Sequence, residues 1–235
     1  MKRTIKLATV AFALAAFAQA FAQDVEEKEP TVGWTPIALG IATPVQLPWG
    51  IDRWDVYGLD LNLIYCDAPE VIGLQFGGAA NLSRRGFAGL ALSTFCNAAL
   101  EDVYGVRATV GLNLARKAVK GLEIGGIAFR DTIAGADVNI LGAAQHNVCG
   151  FQLGGLGNLT SVESYGCTIG GLFNLARTAY GLQLACIYNM TDELHGAQIG
   201  LVNYADYCPN GFQIGLVNIV MSNQLKVLPF INGYF

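Results

Sequence analysis

A glycine recurs every 14 to 16 residues through most of this 235-residue chain. Between about Val56 and Val220 these glycines divide the sequence into eleven units, a spacing too regular for chance. A period of this length indicates a repeat architecture, in which every unit adopts the same local structure. The repeat glycines are Gly58, Gly73, Gly89, Gly105, Gly121, Gly135, Gly150, Gly166, Gly181, Gly196 and Gly211.

Within each unit, apolar and small or polar residues alternate with a period of two. Numbered from the repeat glycine, odd positions carry apolar residues such as Leu74 and Phe76, whereas even positions carry glycine, a polar residue, a small residue and often Asn. This alternation is typical of β-strands and not of helices. Short polar runs such as Asp192-Glu193 separate the strands as turns. The pattern therefore predicts an all-β protein.

The second residue after the repeat glycine holds most of the polar side chains of the strands, including nearly all of their charges. These residues share one face of the predicted sheet, and they are the candidate functional residues of the chain. They are Asp60, Gln75, Arg107, Glu123, Asp137, Gln152, Gln183, Gln198 and Gln213. Arg107 and Glu123 occupy successive units, so a structural ion pair is an equally good interpretation for these two residues.

The best-preserved units read Gly196-Ala-Gln-Ile-Gly-Leu-Val-Asn203 and Gly211-Phe-Gln-Ile-Gly-Leu-Val-Asn218. In these units, and in its last residues Leu228-Pro-Phe-Ile-Asn-Gly-Tyr-Phe235, the chain resembles a mostly uncharacterised family of bacterial surface proteins built from tandem Gly-x-Gln-x-Gly-Leu-x-Asn repeats. The resemblance implies a location in the cell envelope and brings no activity or catalytic residues with it. The units at Gly89 and Gly135 depart from the consensus.

Two architectures could use such a unit, and an antiparallel transmembrane β-barrel of about 12 to 14 short-turn strands is the first. Each unit contains some 12 strand residues, which at about 3.3 Å per residue and a tilt of about 45° rise roughly 28 Å, close to the ~25 Å apolar band of an outer-membrane barrel. Aromatic residues such as Tyr165 and Tyr188 flank the apolar face, as they do at membrane interfaces. Low charge in the strands favours this barrel, with the candidate residues facing its lumen.

The alternative is a β-solenoid with one repeat per coil, in which equal positions of successive units stack. It accounts better for the likeness of all units, because up and down strands of a barrel are not equivalent. Side-chain ladders are then expected within two groups of residues, Gln183, Gln198 and Gln213, and Asn81, Asn97 and Asn113.

The N-terminus predicts export. Lys2, Arg3 and Lys6 precede an uncharged run from Leu7 to Ala18 and small-residue cleavage patterns, which together indicate a signal peptide over residues 1–22. Its removal leaves 11 basic and 18 acidic residues, a balance that argues against nucleic-acid binding. Residues 23–32 read as an acidic linker, and residues 33–235 as a single repeat-built β domain.

No motif for catalysis is present in the sequence. The nucleophile elbow, the zinc-protease helix and the phosphate-binding loop are all missing, and the two histidines, His146 and His195, lie near predicted turns. The six cysteines have no metal-type spacing and serve best as small apolar residues, with disulfides as the alternative in an oxidising compartment. We therefore expect neither enzymatic activity, a cofactor nor a metal site.

Two functions agree with this sequence. The first is a structural protein or narrow passive channel of the outer membrane, whose partners are the lipid bilayer and the barrel-assembly machinery, with small solutes passing the lumen. The second is a secreted or surface-attached solenoid that acts as a binding or adhesion module for surface ligands. In both, the chain is exported to the bacterial outer membrane or cell surface.

Overall fold

A computed structural model describes residues 31–43, 45–50 and 53–234 of the chain. The predicted signal peptide, nearly all of the acidic linker and the terminal Phe235 lie outside the described residues. Strands make up most of the described chain, which contains no α-helix and therefore no helix capable of crossing a membrane. The strands are β1 Gly33–Ala42, β2 Val45–Leu47, β3 Trp54–Gly77, β4 Ala80–Ser93, β5 Cys96–Ala99, β6 Val103–Thr109, β7 Leu112–Ala144, β8 Asn147–Gly170, β9 Phe173–Ala185, β10 Tyr188–Ile199, β11 Val202–Val220 and β12 Val227–Gly233.

The chain divides into two compact units, Met1–Asp131 and Thr132–Phe235, which we call the N-terminal and the C-terminal unit. In the N-terminal unit, β3 pairs in parallel with β1 and β4, β4 pairs with β5 and β6, and both of these pair with β7. In the C-terminal unit, the end of β7 and strands β8 to β11 form successive parallel ladders. Parallel stacking of equivalent segments makes the fold of each unit a β-solenoid.

The predicted antiparallel barrel is wrong, and the alternative is confirmed. The register places each repeat glycine against the next, as in Gly166↔Gly181 and Gly181↔Gly196, whereas successive strands of an antiparallel barrel run in opposite directions. The length argument failed because a repeat is not one straight span. Bends such as the one before Tyr188, and register shifts such as the one between Glu193 and His195, fold it into a coil.

Even positions of each repeat point into the coil, and most odd positions point outwards. In β9 the buried side chains are Asn174, Ala176, Ala179, Gln183 and Ala185, while the residues between them are partly or fully exposed. The polar face of the predicted strands is therefore the inside of the solenoid. Its small side chains let the two sides of a coil approach closely.

A short antiparallel strand covers the end of the ladder in each unit. β2 pairs with β1, and β12 pairs with β11. Pro229 within β12 has no backbone N–H, and such a residue discourages the addition of a further strand at an edge. These strands limit unregulated growth of the two ladders.

Candidate functional site

All nine candidate residues lie inside the coils, where each is at most 2% exposed. Those of the N-terminal unit are Asp60, Gln75, Arg107 and Glu123, and those of the C-terminal unit are Asp137, Gln152, Gln183, Gln198 and Gln213. Within each unit they occupy equivalent positions of successive coils and point into the interior. Their surroundings are neighbouring side chains of the same interior.

An asparagine ladder runs through the interior of the C-terminal unit. Each amide except that of the last member donates to the side-chain oxygen of the next asparagine at 2.9 to 3.0 Å, and these four amides donate in addition to a carbonyl across the coil. Three asparagines of the N-terminal unit form the same pattern. The C-terminal ladder comprises Asn158, Asn174, Asn189, Asn203 and Asn218, and the N-terminal one Asn81, Asn97 and Asn113. Both ladders hold successive coils in register.

A second ladder is formed by the glutamines two residues after the repeat glycine. Gln213 donates to Gln198, and Gln198 donates to Gln183, each at 2.9 Å. The ladder stops at the preceding unit because Thr168 is too short to continue it and shares a hydrogen bond with Ser164 instead. The side-chain ladders expected for a solenoid are thus confirmed. The amides of these glutamines are hydrogen-bonded to one another inside the coils.

The interior of the N-terminal unit holds a group of charges in place of these glutamines. Arg107 Nη2 lies 3.2 Å from Glu123 Oε1, and Arg130 Nη1 lies 3.9 Å from Glu123 Oε2, with all three side chains almost fully buried. The predicted structural ion pair between Arg107 and Glu123 is therefore confirmed. Burial lowers the pKa of Arg107, and the Glu123 carboxylate opposes that shift.

Two aspartates occupy the same position in other coils. Asp60 accepts hydrogen bonds from Gln75 at 3.2 Å and from Asn62 at 3.0 Å, and Asp137 accepts them from Gln152 and Asn139. Burial raises the pKa of Asp60 from 3.8 to about 6, although its amide partners favour the charged form. Neither carboxylate is open to a solute.

This shift predicts a pH-dependent stability that the variant Asp60→Asn lacks. Between pH 3.8 and about 6 folded Asp60 holds a proton that the unfolded chain releases, so the free energy of unfolding of the wild type falls as pH rises through this window. Relative to Asp60→Asn, the wild type is expected to lose roughly 2 to 3 kcal/mol between pH 4 and pH 7. Urea unfolding of both chains at several pH values measures this difference. A difference that stays constant with pH contradicts the assignment.

The cysteines and histidines form no reactive centre within the described residues. All six cysteines are free thiols; Cys66 and Cys208 are buried, whereas Cys149 and Cys186 are exposed. His195 accepts or donates a 2.8 Å hydrogen bond with Glu193 and stacks on Tyr180, which stacks in turn on Tyr165. The described part of the chain contains no group of three or more His, Cys, Asp or Glu able to hold a metal ion.

Two aromatic residues of the predicted girdle, Tyr165 and Tyr180, which both immediately precede a repeat glycine, stand in a column on the outside of the coils. Tyr165 and Tyr180 have ring centroids 4.6 Å apart and nearly parallel planes, and His195 continues the column at the same spacing. The parallel register causes this stacking, since all three residues immediately precede a repeat glycine.

A line of exposed aliphatic side chains was missed by the sequence reasoning. Its residues follow the repeat glycines of the C-terminal unit by five or six positions, three of them in bends and two within strands β8 and β11. Each lies two positions before a ladder asparagine and is 43 to 60% exposed. Backbone hydrogen bonds join these positions from coil to coil, such as Leu172 N–H to Leu156 C=O at 2.7 Å. The Leu of the Gly-Leu-x-Asn consensus was the available signal. We call this line the bend stripe; it comprises Leu156, Leu172, Ile187, Leu201 and Leu216.

The exposed charges of the C-terminal unit lie away from the bend stripe. The corner of the coil that precedes the next repeat glycine holds the exposed Arg177 and Asp206 and the half-buried Glu163, Asp192 and Glu193. The stripe follows that glycine by five or six residues. The stripe is therefore separated from the charged corner along the coil, and its regular row of aliphatic side chains makes it a candidate binding surface.

Comparison of the chain with protein-family models, with curated proteins and with solved structures finds no match. The resemblance to bacterial surface-repeat proteins therefore stays a prediction from the repeat itself.

Proposed function

We propose that the chain is a non-enzymatic β-solenoid, exported to the cell surface, that acts as a binding or adhesion module. One observation carries the proposal: the bend stripe presents five aliphatic side chains in a row, on backbone that is hydrogen-bonded from coil to coil. A rigid apolar surface of this kind is characteristic of an interaction site. Little conformational freedom has to be lost when a partner binds there.

The polar residues support the same conclusion. The candidate residues are buried in the coils and bonded to their neighbours, so a solute has no route to them along a lumen. The passive-channel function depended on the barrel, and the expected bilayer and assembly-machinery partners followed from it. With a solenoid, the outer surface is what remains available for function.

The proposal predicts that the bend stripe contributes to adhesion. Cells exporting the wild-type chain are expected to adhere severalfold more to alkyl-coated glass, or to one another, than cells exporting the variant Leu172→Asn/Ile187→Asn. The reason is that two amides interrupt the middle of the apolar row while the ladders behind it stay intact. Microscopy of retained and clustered cells measures the effect, after protease treatment of intact cells has shown equal amounts at the surface.

Tyr207→Asn is the matched control, since Tyr207 is exposed on the same unit and lies at the charged corner. This variant should adhere like the wild type. Protection of the chain from protease on intact cells, or equal adhesion of all three chains, contradicts the proposed function.

A further inference from the structure

The structure points to a second copy of this chain as the partner that covers the bend stripe. We infer that two C-terminal units, from two copies of the chain, pack stripe against stripe about a two-fold axis. This inference rests on the proposed binding function and identifies a second copy as the binding partner. Three features of the described residues carry the inference: the size of the stripe, its regular spacing and the charges around it.

The stripe is large enough to take part in a specific interface. Its five rows are spaced by the strand separation of about 4.8 Å, so they extend over about 19 Å. Ile140, which is 54% exposed, lies opposite Gly155 and Leu156 on the neighbouring strand and continues the line at a shift in register. Together these side chains present several hundred Å² of apolar surface, and two such surfaces remove roughly 1,000 Å² from water, the lower range of specific interfaces.

The regular spacing selects a partner with the same spacing. Because the rows are fixed by parallel ladders, a second stripe can fit its rows between those of the first along the entire length. A globular surface without this repeat matches only one or two rows. A two-fold axis makes the contact self-complementary and closed, with the Leu156 row of one copy near the Leu216 row of the other.

The charges argue against an anionic lipid surface. Peripheral membrane segments combine an apolar face with Lys and Arg beside it and with aromatic residues at its border. Phe173 and Tyr188 follow two of the stripe residues, but the segments around the stripe contain no Lys or Arg. Four of the five charged side chains at the charged corner are acidic. The stripe itself contains no charged residue. When two stripes face each other, there is therefore no like-charge repulsion at the centre of the interface.

Cys186 gives an internal marker for this arrangement. It is exposed and immediately precedes Ile187, in the middle of the stripe. A two-fold axis through the middle of the stripe brings Cys186 of one copy close to Cys186 of the other. The second exposed thiol, Cys149, precedes a repeat glycine in the column of Tyr165 and lies off the stripe.

Sedimentation equilibrium of the purified full chain over a range of concentrations tests the inference. The wild type is expected to dimerise, and the dissociation constant of Leu172→Asn/Ile187→Asn is expected to rise at least tenfold, with Tyr207→Asn unchanged. Far-UV circular dichroism confirms that the variants are folded. A short bis-maleimide should link two wild-type chains, and Cys149→Ser chains equally, but not Cys186→Ser chains.

The cross-link keeps the test independent of any stripe variant that does not fold. A chain that is monomeric at all concentrations and forms no link through Cys186 overturns the inference. If that monomer still binds phosphatidylcholine vesicles, and loses this binding in Leu172→Asn/Ile187→Asn, the stripe is a lipid-binding surface and the proposed binding function survives. A monomer that neither binds vesicles nor supports adhesion of cells overturns both.

Discussion

Gly181→Ala is expected to lower the free energy of unfolding by about 3 kcal/mol or more. Gly181 has a φ of +120°, a backbone conformation that residues with a Cβ rarely adopt. A Cβ at this position would lie 2.2 Å from the carbonyl oxygen of Gly166 in the preceding coil. Backbone on both sides is held in the parallel ladder, so neither strand can move away without losing hydrogen bonds. The repeat glycines are therefore required by the stacking itself.

Gly155→Ala is the matched control within the same unit. Its added Cβ would meet only Ile140 Cα at 3.6 Å and carbonyl oxygens at 3.9 Å, which are ordinary contacts. This variant is expected to keep wild-type stability within about 0.5 kcal/mol. Urea unfolding followed by far-UV circular dichroism compares the three chains. Equal stabilities of Gly181→Ala and Gly155→Ala contradict the glycine ladder as described.

The repeat and its period of two were sufficient to predict the strands and the function of the glycines. Glycines that recur in strand phase, without the Lys-Ser/Thr of a phosphate site, predict close packing of backbone, and the approach of Gly166 to Gly181 confirms it. The sequence also predicts strands at Trp34 to Ala42 and from about Leu225 to Phe235, and β1 and β12 occupy these positions among the described residues. These features follow from local chemistry, namely the freedom of glycine and the alternation of side chains along a strand.

The direction of neighbouring strands could not be deduced from alternation. A barrel and a solenoid both place the polar even positions inside and the apolar odd positions outside, so the two folds produce the same pattern along the chain. Equivalent repeats favour the parallel arrangement, because only parallel strands place the same position of successive repeats side by side, as with Gln198 and Gln213. Likeness of the units was therefore a better guide than their length or low charge.

The candidate residues illustrate a similar limit. Their common face could be predicted, but whether Gln183 and Gln198 bind a solute or each other depends on the distance between coils, which alternation does not determine. The bend stripe was missed because the period of two is interrupted there: Leu172 lies in a bend, and Leu156 lies in β8 at a shift in register. The exposure of a bend residue depends on how the coil closes.

Glu123→Gln is expected to destabilise the chain by about 3 to 5 kcal/mol. The substitution keeps the size and the acceptor oxygen of the side chain but removes the carboxylate that accompanies two buried guanidinium groups. Arg107 and Arg130 would remain almost fully buried without that negative charge beside them, and an uncompensated buried charge is more costly than the loss of a hydrogen bond. Urea unfolding of the purified chain measures the effect.

An exposed ion pair in the same unit provides the control. Lys117 pairs with Glu101 at the surface, with side chains 54% and 41% exposed, so Glu101→Gln should change the free energy of unfolding by less than about 1 kcal/mol.

The double variant Arg107→Gln/Glu123→Gln separates the effect of charge from the effect of packing. The double variant replaces the buried ion pair by two amides, like the pair that Gln183 and Gln198 form in the C-terminal unit. It also removes one of the two buried guanidinium groups. It is therefore expected to be more stable than Glu123→Gln alone. A double variant that is less stable than the single one means that Arg107 stabilises the interior by its contacts, including its 2.9 Å hydrogen bond to the Leu114 carbonyl, and not by its charge.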